Sequence, residues 1–263
     1  MIVARTTEGL RLTRQRDHAD QCAQLARHWG NEAFSRITPW GPLVRATLIH
    51  DDGWEPFDAA PEVDADGMPV NFPDLDRRRH IALYRAGIHA ACEAGTRPGL
   101  IVSIHGQGLY EKRMGLDGDP PPRDGRPLYE RRFIDDQEEL RARLRAGLPA
   151  DGVAEWEWAG FRLLQAWDTL SLYVCWSGLD GGQTWSLPRV PRWRGDEEGV
   201  TIRLSPSGDG ECIVDPWPFD GAALRTTVTC VNIPPGPYAG NDDLRAAIAA
   251  APPQELAVTL RPA

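Results

Sequence analysis

Apolar positions recur at helical spacing along the first two thirds of the chain and at alternating spacing along the last third. Residues 1–12 alternate weakly, with Ile2, Val3, Leu10 and Leu12 around Thr7-Glu8-Gly9, which predicts a short hairpin. A helix follows from about Thr13 to Trp29, with Ala19, Cys22, Ala26 and Trp29 on its apolar face and His18 on or beside that face. The apolar run Leu43 to Ile49 predicts a buried helix that ends on His50-Asp51-Asp52-Gly53-Trp54. Prolines at 56, 61, 69 and 73 then predict an irregular loop, long enough to be functional or mobile.

A third helix fits Leu75 to Cys92 and carries His80. The run Leu100 to Ile104, which suits a helix or a strand, delivers His105. Gly115 to Pro127 predicts a surface loop or a disordered excursion, and Asp135 to Ala146 a charged helix solvated on most of its surface. The most apolar helix spans about Val153 to Trp176 and holds Asp168 one turn from both Leu164 and Leu172, on or next to a buried stripe. After Gly178, short alternating segments at Val200–Leu204, Cys212–Val214, Thr226–Ile233 and Leu256–Leu260 predict strands, with one helix at Asp242–Ala251 between them. The expected architecture is mainly α. It consists of a helical domain over residues 1–178, hairpin included, and a small β-rich module over 179–263 packed on it, with the hairpin free to share the module's sheet.

Composition narrows the function. A formal net charge of −9 argues against nonspecific nucleic-acid binding. Of the 29 basic residues only Lys112 is a lysine, an arginine bias that coding composition explains most simply. There is no opening segment of the secretory type and no apolar run of the roughly 20 residues that a membrane span needs. The five cysteines, Cys22, Cys92, Cys175, Cys212 and Cys230, lack CxxC spacing and read as reduced core thiols of a cytoplasmic protein.

The candidate chemistry lies in polar groups that end or interrupt apolar segments: His18, His50, Asp51, His80, His105 and Asp168. Adjacent imidazole and carboxylate groups are costly to bury unless something satisfies them, and a divalent metal does. His28 and His89 fall outside the pattern and read as structural or exposed.

The order H…HD…H…H…D resembles the HD-domain superfamily of metal-dependent enzymes, in particular its dinuclear members, over about residues 13–176. Over its whole length the chain also resembles an uncharacterised bacterial family, the DUF3891 proteins, in Gln15-x-x-His18, in the His50-to-Trp54 block and in a C-terminal β segment. The first resemblance implies an all-α bundle holding two divalent metals, iron or manganese foremost and zinc also suited. It implies that Asp51 bridges them, that His18, His50 and Asp168 complete one site, and that His80 and His105 bind the other.

Two such cations bring four positive charges, of which Asp51 and Asp168 balance two. The remainder favours a bridging hydroxide and a small anionic substrate. Gln15 and Asp52 are candidates to orient ligands, and Trp40 and Trp54 to wall the cavity. Lys112, Arg113 and Arg77 to Arg79 are candidates to reach an anion.

The implied activity is hydrolysis of a phosphoester or similar anion, with Asp51, Lys112 and Gln15 in catalytic roles. Many phosphohydrolases of that superfamily carry a lysine shortly after the HD pair, where this chain reads Asp52-Gly53-Trp54-Glu55. An alternative with the same ligand order is an O2-dependent diiron oxygenase cleaving a C–C or C–P bond. A third reading is a non-catalytic metal-stabilised or ligand-sensing module. A homodimer is compatible with all three.

Overall fold

In the computed structural model, which describes residues 1–111, 122–176, 179–208 and 210–263, the chain opens with strands β1 (Ile2–Arg5) and β2 (Leu10–Thr13). Seven helices follow: α1 (Gln15–His28), α2 (Gly41–Ile49), α3 (Glu55–Ala59), α4 (Arg77–Ala94), α5 (Thr96–Glu111), α6 (Leu128–Ala146) and α7 (Val153–Cys175). Strands β3 (Trp185–Val190), β4 (Val200–Gly208), β5 (Glu211–Asp215) and β6 (Leu224–Ile233) lead to α8 (Asn241–Ala250) and β7 (Pro253–Arg261). Among the described residues no helix is long and apolar enough to cross a membrane.

The expectation of a mainly α bundle with a small β module is overturned. About 49% of the chain is helical and 20% strand, and the strands form one curled seven-stranded mixed sheet. Its order is β1-β2-β6-β7-β5-β4-β3. The pairings are antiparallel except β5 with β7, where Glu211 faces Thr259 and Cys212 faces Leu260 in parallel. The extent of the sheet was hidden for two reasons. β3 contains Pro188 and Arg189, the latter at φ 56°, so it lacks the alternation that betrays a strand. The β2–β6 pairing, Leu10 with Ile233 and Leu12 with Val231, joins opposite ends of the chain and leaves no local trace.

The helices lie against this sheet around a shared core. Trp29 packs edge-on against Phe34 of the following loop, Trp167 of α7 and Phe219 of the β5–β6 connection, at 5.5–5.6 Å between ring centroids. Those three elements are thereby tied to the end of α1. Gln24 of α1 binds β6 through both amide atoms, donating to the Thr227 carbonyl (2.9 Å) and accepting from the Thr227 N–H (3.1 Å).

The run that ends on His105 is helical, so His105 lies within α5. Asp76 caps α4 by accepting from the N–H groups of Arg78 and Arg79. After α2 the chain turns tightly through Asp51 to Trp54. A Cβ on Gly53 would lie 2.1 Å from the Leu83 carbonyl oxygen of α4, so only glycine allows this turn to seat against that helix.

Candidate metal centre

Helices α1, α5 and α7, with the end of α2, bring His18, His50, Asp51, His105 and Asp168 together, all buried. His18, His105 and Asp168 lie at helix positions with core neighbours one turn away, so burying the apolar stripes carries them inward, while His50 and Asp51 follow the end of buried α2.

The hydrogen bonds around His50 identify its protons. Nδ1 lies 2.8 Å from the Thr47 carbonyl, which can only accept, so Nδ1 carries a hydrogen. Nε2 is buried without a hydrogen-bond partner and lies 3.4 Å from Asp51 Oδ2. A lone pair on Nε2 would face a carboxylate, so something positive belongs between them: a second proton or a metal ion. Burial alone would lower the His50 pKa, but the Asp51 and Asp168 carboxylates and the Thr47 carbonyl together raise it, and the position favours positive charge.

His18 repeats the arrangement. The Ser171 hydroxyl donates to Gln21 Oε1 (2.7 Å) and so accepts from His18 Nδ1 (2.7 Å). His18 Nε2 then faces Asp168 Oδ1 at 3.0 Å. Two ligand atoms each about 2.1 Å from one cation are about 3.0 Å apart at a right angle and about 3.4 Å apart at the tetrahedral angle. Both observed separations match such a shell.

His105 Nε2 lies 4.0 Å from Asp168 Oδ2, and its buried Nδ1 has no hydrogen-bond partner. Burial holds the pKa of His105, and likewise that of His80, down to about 4. Burial opposes ionisation of Asp168 too, but the hydrogen bond and charge of His18, with His105 and His50, hold it down to about 2. Neutral His105, neutral His80 and ionised Asp168 are protonation states a metal requires.

Among the described residues, two trios have ligand atoms all within 4.8 Å of one another: His50, Asp51 and His105, and His18, Cys22 and His50. His80 belongs to neither. It is partly buried, its ring lies 4.8 Å from that of Tyr84, and its Nδ1 bonds the Tyr110 hydroxyl. Trp54 walls it at 5.3 Å.

The Gln15 N–H donates to Asp58 Oδ2 (2.6 Å), while its buried Oε1 has no partner and shows no bond to the cluster. Lys112 lies outside the described residues, as does Arg113. His28 and His89 are exposed and pair with Asp220 and Glu93 respectively.

Three participants escaped the sequence. Tyr84 donates its hydroxyl to Asp51 Oδ1 (2.8 Å), and burial with Asp51 raises its pKa well above normal, so it remains a donor. Ser171 orients His18 as described. Cys22 places its sulfur 3.7 Å from His18 Nε2. The available signals were helical offsets: Tyr84 follows His80 by four residues, Cys22 follows His18 by four, and Ser171 follows Asp168 by three.

Fold and site together define a mixed α/β protein with a buried histidine–carboxylate cluster fit for divalent metal. The family described as "Protein of unknown function (DUF3891)" matches residues 1–234, and the chain belongs to that family. All the candidate ligands lie within the match. Searches of curated proteins and of solved structures found no match.

Proposed function

We propose that this chain is a metal-dependent hydrolase of small anionic esters, phosphoesters foremost. The observation that carries this reading is the buried His50 Nε2, without a hydrogen-bond partner and 3.4 Å from a carboxylate oxygen. The His18–Asp168 pair supports it, as does the resemblance of the ligand order to the HD superfamily. His18, His50, Asp51 and Asp168 would hold one cation, and Asp51, His80 and His105 a second. Such cations supply positive charge to an anionic substrate and acidify water toward neutrality.

The protein's own groups prepare the site. The Thr47 carbonyl and the Ser171 hydroxyl hold two imidazoles in the tautomer that points Nε2 inward. Tyr84 fixes Asp51, and Trp54 packs edge-on against the His80 ring. In the reaction, water oxygen bonds to phosphorus, the ester P–O bond breaks, and the departing alkoxide takes up a proton.

The test is phosphate release from a panel of phosphomonoesters and diesters by protein reconstituted with Mn(II), Fe(II) or Zn(II), with and without oxygen. The expected result is oxygen-independent release that Asp51→Ala abolishes. Turnover only with oxygen consumption, or none with any metal, would overturn the assignment.

A further inference from the structure

A cavity of about 700 Å³ opens beside the cluster, within the usual size range of small-molecule sites. Its walls come from the segment before α4, from α7 and from β3: Phe72, Leu172, Trp176, Trp185 and Leu187 make it largely apolar. The rings are held by neighbours, Phe72 against Trp176 at 5.3 Å and Trp185 against Tyr173 at 5.4 Å.

Three features join this space to the candidate metal centre. His80 lines it directly. Leu109, one helical turn beyond His105, lines it as well. Gln165 and Leu172 lie three residues before and four after Asp168, on its face of α7, and both reach the cavity.

Charge points to the occupant. Among the described residues, the titratable ones lining the cavity are Arg77, His80 and Arg162, with no acid among them, in a chain of formal net charge −9. Arg162 donates to the carbonyl of Pro188 (2.6 Å) and to Gln165 Oε1 (2.8 Å), which fixes its positive charge in the wall. Burial and Arg189 lower its pKa only to about 10, so it stays cationic at neutral pH. Arg77 is mostly exposed, with Glu130 3.9 Å from its Nε, a loose pairing that leaves it able to meet an anion at the cavity mouth.

We propose that this cavity binds the organic part of the substrate, which is an amphipathic anion. An alkyl or aryl body lies among Phe72, Leu172, Trp176, Trp185 and Leu187, and the anionic head sits at the His80 end, toward the cluster and Arg77. This rests on the hydrolase reading for its chemistry, though not for its binding. The shape excludes neither esters nor phosphoesters but selects against small, wholly polar anions.

The test titrates the native protein with ethyl phosphate, octyl phosphate and octylamine, following tryptophan fluorescence and checking by calorimetry. Each buried methylene contributes about fourfold in affinity, so octyl phosphate should bind at least about a hundredfold tighter than ethyl phosphate. It should also bind at least about tenfold tighter than octylamine, whose cationic head meets arginines. Ser186 is exposed and lines the cavity, so Ser186→Glu and Ser186→Trp should fold normally and each weaken octyl phosphate about tenfold.

Equal binding of the two phosphates, or octylamine binding as well as octyl phosphate, would overturn the proposal. Tight octyl phosphate binding without hydrolysis of any ester sustains it while the hydrolase reading falls. Equal kcat/KM for ethyl and octyl phosphate, with no fluorescence response, does the reverse.

Discussion

Two buried polar clusters share helices α5 and α7, and they are wired in opposite ways. The first lies between α5, α6 and α7. Arg145 donates twice to Glu157 (2.6 and 2.8 Å), and Arg141 sits 3.3 Å from the same carboxylate. Arg141 also bonds Gln107 and Ser103, and Ser103 donates to Gln137 (3.0 Å). Every contact there sets a donor against an acceptor.

In the second, three turns along α7, His50 Nε2 has no hydrogen-bond partner and lies 3.4 Å from Asp51 Oδ2, while His18 Nε2 meets Asp168 Oδ1 at 3.0 Å, where either a second proton on the ring or a cation must sit between them. A protein that buries polar groups for its own stability pairs them. One that leaves the His50 Nε2 without a partner beside a carboxylate has left room for a cation it does not itself supply.

This contrast predicts opposite responses to removal of a single charge. The largest effect falls on the second cluster. Asp168→Asn should lose more than the roughly 10–100-fold in metal affinity that removing a mere partner of a ligand costs, and hydrolysis with it. The metal-free variant should melt no lower than metal-free wild type, because the new amide can donate to His18 Nε2. Calorimetry with and without chelator measures both.

In the first cluster, Glu157→Ala removes the buried carboxylate that Arg141 and Arg145 share and should destabilise the fold by about 3–5 kcal/mol. Metal content per folded chain should not change. Urea unfolding paired with metal analysis checks this, and loss of metal at normal stability would erase the distinction drawn above.

Ser171→Ala releases His18 from its fixed tautomer. Metal affinity should fall by roughly 10–100-fold. Competition with a chromogenic chelator provides the measurement, and an unchanged affinity would mean that Ser171 serves only packing. The smallest effect concerns the thiols at the edge of the second cluster. Burial pushes Cys175 up to about 12 and Cys22 well above the ordinary thiol range, while half-buried Cys92 is raised with burial as its only cause. Iodoacetamide at pH 8 should therefore alkylate Cys92 well before Cys22 or Cys175. Rapid labelling of Cys22 would show a thiolate already present beside His18.

These helices and their ligands could be read from the chain because both follow local rules. The 3.6-residue period of α1 and α7 places His18 and Asp168 on inward faces whatever the rest of the molecule does. The same rule hid Arg141 and Gln137. Their helix is so rich in charge that it reads as solvated, whereas both side chains are buried against Glu157 and Ser103. Nor could local pattern show the sheet, since its order depends on β2 meeting β6 across most of the chain. The cavity was invisible for the same reason: one of its walls is β3, a strand that its own sequence conceals. His80 was assigned to the cluster by its order in the chain. Its position between Tyr84, Trp54 and the cavity came only with the fold.

If the second cluster is a metal centre, metal content will show it. Protein purified without chelator should carry about two equivalents of iron, manganese or zinc per chain, falling toward zero in the His50→Ala and Asp168→Asn variants. Wild-type protein that takes up none of the three at micromolar concentration, or variants that retain the full complement, would contradict it.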